Sequence, residues 1–189
     1  MQHSNREEWL KAAVDELRPV FQSVEFPLPG KIRVTCGFPS SRARANHRHI
    51  GEHWSPSASS DGHHEILISP VVDDPLKVFS TLVHELCHAA TDGHGHDSVF
   101  TKCARSLWLE GKPTATFAGD TFTENFANML ESLGHYPHAS LNVGANKKTQ
   151  STRMLKATCS CGYTVRLTKK WADIGLPYCP VEGNQLVLS

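Results

Sequence analysis

Ser80-Thr81-Leu82-Val83-His84-Glu85-Leu86-Cys87-His88-Ala89-Ala90 is the stretch whose reading decides the fold. On a helix, residues four apart lie one turn above each other, so His84 and His88 present imidazole nitrogens to one point, about 6 Å apart along the axis. That is the reach of a single zinc ion. Neutral imidazole at about 2.0–2.1 Å is a favoured zinc ligand, and two of them leave positions for a third protein group and a water. Glu85, adjacent but angled off the metal, is placed to take a proton from that water.

The flanking sequence supports a helix here. Asp74-Pro75 joins an N-cap candidate to proline at the first helical position. Leu76, Phe79, Leu82, Val83 and Leu86 form an apolar stripe that Ala89 and Ala90 extend, and Gly93 suits the C-terminal stop. Beyond it, Asp92-Gly93-His94-Gly95-His96-Asp97 is a glycine-flanked turn offering two further histidines, either of which can return to the metal. A helix is expected over 97–110, with Asp97 and Ser98 near its N-terminus and Val99, Phe100, Cys103, Leu107 and Leu109 turned inward. Another is expected over 120–134, ending at Gly134.

Upstream, Trp9, Leu10, Ala13, Val14, Leu17 and Phe21 recur at helical spacing, which predicts a helix over 5–21 with Pro19 at its frayed end. Strands are expected over 31–36, 50–54 and 63–70. His63 and His64 are adjacent in a strand and so face opposite sides, which argues against a shared metal. Residues 37–48 read as a loop carrying Arg42, Arg44, His47 and Arg48, which could touch phosphate.

At 189 residues the chain suits one domain with a sizeable core and a small appendage. Its formal net charge is zero, but residues 1–140 hold 12 basic and 17 acidic side chains, whereas residues 141–189 hold seven and two. An acidic body thus carries a basic tail, suited to a polyanion or to a solvated surface. No secretory leader or membrane-spanning run is evident, and a cytoplasmic protein is expected. The six cysteines do not form a disulfide framework, since three are scattered and three cluster near the end.

Residues 1–138 read as the main domain, 139–156 as an aperiodic linker and 157–189 as a β-rich segment. In the last, Cys159, Cys161 and Cys179 sit on two turns laid out like a zinc ribbon. The ligand count falls one short of four. Three residues on from Cys179 stands Glu182, which could offer an oxygen, and a metal-free ribbon is the alternative.

With these residues in view, the chain resembles the SprT-like zinc metallopeptidases, the group that includes the Spartan DNA-dependent proteases. The likeness rests on His84-Glu85-Leu86-Cys87-His88, on Gly95-His96-Asp97-Ser98-Val99-Phe100, which looks like the family's Gly-His-x-x-x-Phe, and on the terminal ribbon-like segment. It implies His96 as third zinc ligand, four before Phe100, with His94 as runner-up. It also implies an α+β, zincin-like core: a small antiparallel sheet packed on the metal helix, with the strand at 65–69 bordering the cleft. The implied activity is peptide-bond hydrolysis with zinc as cofactor and Glu85 as general base, on protein or peptide substrates, with DNA as a partner through the basic tail and no membrane. A non-catalytic, zinc-containing DNA-associated adaptor is the rival from another class, and a metal-dependent hydrolase of non-protein substrates is a second.

Overall fold

The computed structural model describes residues 3–41, 49–145 and 154–189. They group into two compact units, Met1–Val143 and Gly144–Ser189. The basic loop with Arg42, Arg44, His47 and Arg48 lies outside the described residues. The architecture is α+β with small sheets, and among the described residues no helix is long and apolar enough to cross a membrane.

In the first unit, α1 spans Arg6–Ser23, capped by the Asn5 side chain accepting from Glu8 N–H. It runs through Pro19 instead of fraying there, which corrects the expected end at residue 21. The reason is packing. Leu17 and Phe21 flank the proline and are fully buried, and burying one such side chain contributes about 1.5–3 kcal/mol, comparable to the roughly 3 kcal/mol that an interior proline costs.

The strands are β1 (Ile32–Cys36), β2 (Gly51–Trp54) and β3 (His64–Ile68). β3 lies between the other two, parallel to β1 and antiparallel to β2. The sheet is therefore mixed, not antiparallel, and β3 is its centre, not the cleft border. This follows from connectivity. β1 and β2, consecutive in sequence, lie on opposite edges with β3 between them, and β3 returns against β2 while running parallel to β1. The burial of His64, Ile66 and Ile68 on one face of β3 suits a central strand. The edge strand packed on the helix that carries His84 and His88 is β2, which among the described residues pairs with β3 alone.

The helix α2 spans Pro75–Ala90, and Asp74 accepts from Lys77 N–H at 2.8 Å. Val78, Phe79, Leu82, Val83 and Leu86 are fully buried. Gly93, at φ +75°, closes the end by donating to the His88 carbonyl at 2.8 Å. The next helix, α3, covers only Ser98–Ser106. The expected helix to residue 110 is wrong because Trp108 adopts φ +60° and Leu109–Lys112 leaves as β4, paired with β5 (Ala115–Ala118) in a hairpin. Arg105 secures it by donating to the Leu109 carbonyl at 2.7 Å. Helix α4, Asp120–Leu133, stops at Gly134 and buries Phe122, Phe126 and Leu133.

The residues expected to open a linker at 139 remain bound to the first unit. Leu141 N–H donates to the Pro70 carbonyl at 2.8 Å, and Ser140 N–H to Asp73 at 3.1 Å. The second unit contains β6 (Leu155–Thr158), β7 (Thr164–Leu167), a short helix α5 (Lys169–Ile174) and β8 (Val187–Leu188), with sheet order β7-β6-β8. Its buried apolar core is Ala157, Cys179 and Leu186.

Candidate metal centre

His84 and His88 lie on the face of α2 that borders a cavity of about 580 Å³, and the turn before α3 brings His96 to the same place. One nitrogen from each of the three rings lies within 4.8 Å of the others. The Nε2 atoms of His84 and His96 are 3.3 Å apart. Two nitrogens each about 2.05 Å from a tetrahedral zinc stand about 3.3 Å apart, so the donor set fits that ion. Phe100, fully buried, packs under all three rings with centroid separations of 4.9, 4.3 and 5.0 Å to His84, His88 and His96.

The far nitrogens are held as well. His88 Nδ1 donates to the His94 carbonyl at 2.8 Å, which leaves the Nε2 lone pair for a metal. His84 Nδ1 is 2.7 Å from Thr116 Oγ1 on β5. Burial depresses the pKa of each ring, and that of His84 falls to about 3, with His88 and His96 adding to the effect. All three are thus neutral at pH 7, the form that can bind a cation. His94, the runner-up, lines the cavity but is engaged elsewhere: its Nδ1 bonds Asp97 at 2.6 Å, while Asp97 also caps α3 through Val99 and Phe100 N–H.

Glu85 points into the same cavity and is 6% exposed. Burial, with Glu52 nearby, pushes its carboxyl up to about 8. It lies against Gly51 of β2, where an added Cβ would overlap Glu85 Oε1 and sit 2.7 Å from Thr81 Cγ2. Glycine at 51 is a condition for the carboxylate to reach this position. Glu52, on the next residue, accepts from Ser40 N–H at 2.8 Å and from Trp54 Nε1 at 2.9 Å.

His53, also on β2, lines the cavity and stacks on His88 with centroids 6.1 Å apart and planes 12° apart. Its Nε2 is 2.9 Å from Nδ1 of buried His64. Burial, then His64 and His88, lowers its pKa to about 4. His63 faces the other way, pairing with Asp61 at 3.0 Å. Thr116, Gly51 and His53 escaped the sequence reading. The alternation Ala115-Thr116-Phe117 after Gly111-Lys112-Pro113 carried a hairpin signal that could have found the first.

A second cluster lies in the second unit, where the sulfurs of Cys159, Cys161 and Cys179 are within 4.8 Å of one another. Cys161 and Cys179 sulfurs are 3.5 Å apart, near the roughly 3.8 Å expected for two thiolates on one tetrahedral zinc. Glu182 reaches this cluster, with Oε2 2.9 Å from Cys159 Sγ and 2.6 Å from Ser160 Oγ. Backbone N–H groups of Glu182 and Val181 lower the Cys179 pKa, and the bond to Glu182 pushes that of Cys159 up to about 11. Comparison with protein-family models, curated proteins and solved structures returns no match for this chain.

Proposed function

We propose that the chain is a zinc-dependent metalloendopeptidase with a zincin-like, SprT-like core. The observation that carries the reading is the meeting, in one cavity, of three imidazoles at metal-ligand spacing with a buried carboxyl from the same helix. A structural metal site needs the histidines, whereas an adjacent carboxylate aimed into the cavity serves no structural end. This favours an enzyme over a zinc-containing adaptor.

When bound by His84, His88 and His96, zinc supplies Lewis acidity toward water and the peptide carbonyl. The substrate lies extended along β2, an edge strand that among the described residues pairs with β3 alone, so that its outer backbone groups can pair with a peptide whatever its side chains. Glu85, whose ionised form is favoured by a cation held on the three histidines, accepts a proton from the attacking water as its oxygen bonds the carbonyl carbon. It then returns that proton to the nitrogen as the C–N bond breaks, and the second proton of the water passes from the new carboxyl to the amine, leaving a carboxylate and an ammonium group.

Proteins bound to DNA are the proposed substrate class. The second unit supports this with exposed Trp171, Tyr163 and Tyr178 among Lys156, Arg166, Lys169 and Lys170, the pairing of rings and cations that suits single strands. Its cysteine cluster, with zinc bound, is proposed as a structural site.

The decisive experiment measures casein cleavage and zinc content for wild type and Glu85→Gln. Zinc content is expected to be unchanged and cleavage to fall roughly 10²–10⁴-fold; cleavage at the wild-type rate by Glu85→Gln overturns the reading.

A further inference from the structure

Peptide hydrolysis places negative charge on the carbonyl oxygen in the transition state, and an N–H or O–H aimed at that oxygen stabilises it. Among the described residues lining the cavity, most donors outside the histidine triad are committed elsewhere. Thr81 Oγ1 bonds the Lys77 carbonyl at 2.7 Å, Thr116 bonds His84, His94 bonds Asp97, and His49 lies 3.3 Å from Ser41 Oγ. Of the remaining side-chain donors on the cavity wall, His53 stands on the strand that packs against Glu85, whereas Thr114 and the other ring nitrogen of His49 lie outside that strand.

The register of β2 against α2 distinguishes them. Gly51 lies against Glu85, and His53 is two residues further along the same face of the strand, about 6.6 Å on. On the helix His88 is three residues beyond Glu85, about 4.5 Å along the axis. Glu85 and His88 are thus matched in order by Gly51 and His53, and the parallel His53 and His88 rings confirm the alignment. Thr114 sits in the turn between β4 and β5 and has no place in this strand-to-helix register. His64, buried on the central strand, fixes the His53 ring through Nε2, so Nδ1 is the nitrogen His53 can offer to a ligand in the cavity.

We infer that His53 is a substrate-contacting residue whose Nδ1–H donates to the oxyanion of the tetrahedral intermediate, with His64 holding the ring and its tautomer through Nδ1–H to His53 Nε2. The inference rests on the peptidase reading above. It asks for no bond to be made or broken at His53; the imidazole stays neutral and the proton stays on Nδ1.

The test compares zinc-loaded wild type, His53→Leu and His53→Asn by casein cleavage, zinc content and calorimetric binding of a Phe–Leu phosphinic pseudodipeptide, a tetrahedral anion. His53→Leu is expected to lower kcat about 10²-fold at unchanged KM and zinc content. Pseudodipeptide affinity should fall by a similar factor. His53→Asn, whose amide nitrogen falls near the Nδ1 position, should recover most of both. Wild-type kcat and pseudodipeptide affinity in His53→Leu overturn the inference, as does equal loss in Leu and Asn. If Glu85→Gln is inactive while His53→Leu is not, this inference fails and the peptidase reading stands. No cleavage by zinc-loaded wild type sinks both.

Discussion

The two clusters of candidate metal-ligating side chains are supported in opposite ways. The histidines ride on α2, a capped helix whose other faces are buried in the main core with Trp9, Phe79, Phe122 and Phe126, so that core positions the site whether or not a metal is present. The cysteines sit on two turns around a core that, among the described residues, has three buried members, one of them the candidate ligand Cys179, with Val165, Leu167 and Leu176 partly buried against it. A core that small buries too little apolar surface to offset chain entropy. In the first unit the fold supports the candidate site, whereas in the second a bound metal would have to support the fold.

Metal withdrawal therefore breaks the comparison most sharply. A structural zinc contributes on the order of 10–16 kcal/mol of binding free energy, nearly all of it folding free energy in a unit with so little core. Chelation is expected to abolish amide-exchange protection across β6 and β7 while leaving α2 and β3 protected, and Cys179→Ala should do the same without chelator. Equal protection of both units in chelator removes the contrast. The affinity of the cysteine cluster should also rise with pH, about tenfold per unit for each proton released, because Cys159 holds its proton up to about 11 and must lose it to bind.

The next largest effect belongs to Glu85. Its replacement by Gln should cost roughly 10²–10⁴-fold in cleavage, the usual contribution of a positioned base. In the metal-free protein it should also change the pH dependence of stability. The carboxyl titrates near 4.5 when unfolded and near 8 when folded, so folding takes up a proton between those values. Stability from this group is complete below pH 4.5 and is lost as pH rises toward 8, by about 4–5 kcal/mol in all. Glu85→Gln removes that slope. Chemical denaturation at pH 5 and pH 9 in chelator measures it, and parallel pH curves for the two proteins would show that burial does not hold the proton.

These effects bear on what could be read from the sequence. The helix of the histidines was legible because three local signals agree on it: Asp74-Pro75 at the start, the apolar stripe within and Gly93 after it. The third histidine was legible only through a family pattern, since spacing alone allowed His94 or His96. What separates them is Asp97, which binds His94 and caps α3 with the same carboxylate. Sheet order was not legible, because strand periodicity gives a strand's faces and says nothing of its neighbours; β3 moved to the centre and β2 became the edge. Thr116 was missed because a helix had been extended to residue 110 on the apolar spacing of Leu107 and Leu109. Both are buried, but Leu109 is in a strand.

Thr116 tests how far the first unit's site depends on polar support from outside α2. Thr116→Val keeps the shape but removes the partner of His84 Nδ1, and loss of such a partner typically costs 10–100-fold in metal affinity. Competition with a chelating dye should show that loss at the histidine site, with Thr116→Ser restoring it and the cysteine cluster unaffected. Unchanged affinity in Thr116→Val would mean that packing against Phe100 suffices to orient the ring.

The smallest expected effect concerns the choice between two histidines. Asp97 accepts from Val99 N–H at 2.9 Å and Phe100 N–H at 3.1 Å, so Asp97→Ala removes an N-cap worth about 1 kcal/mol. It also releases His94, two residues before His96 on the same glycine-flanked turn. With Asp97 present, His96→Ala should lose zinc from the first unit, because His94 is held by the carboxylate. In the double variant Asp97→Ala, His96→Ala, His94 is free to swing toward His84 and His88, and part of the zinc affinity should return. Recovery that disappears on adding His94→Ala identifies His94 as the substitute ligand. No recovery means that the His94 backbone, anchored by its carbonyl to His88, fixes the ligand choice, and the rigidity of the first unit then extends through the turn as well as the helix.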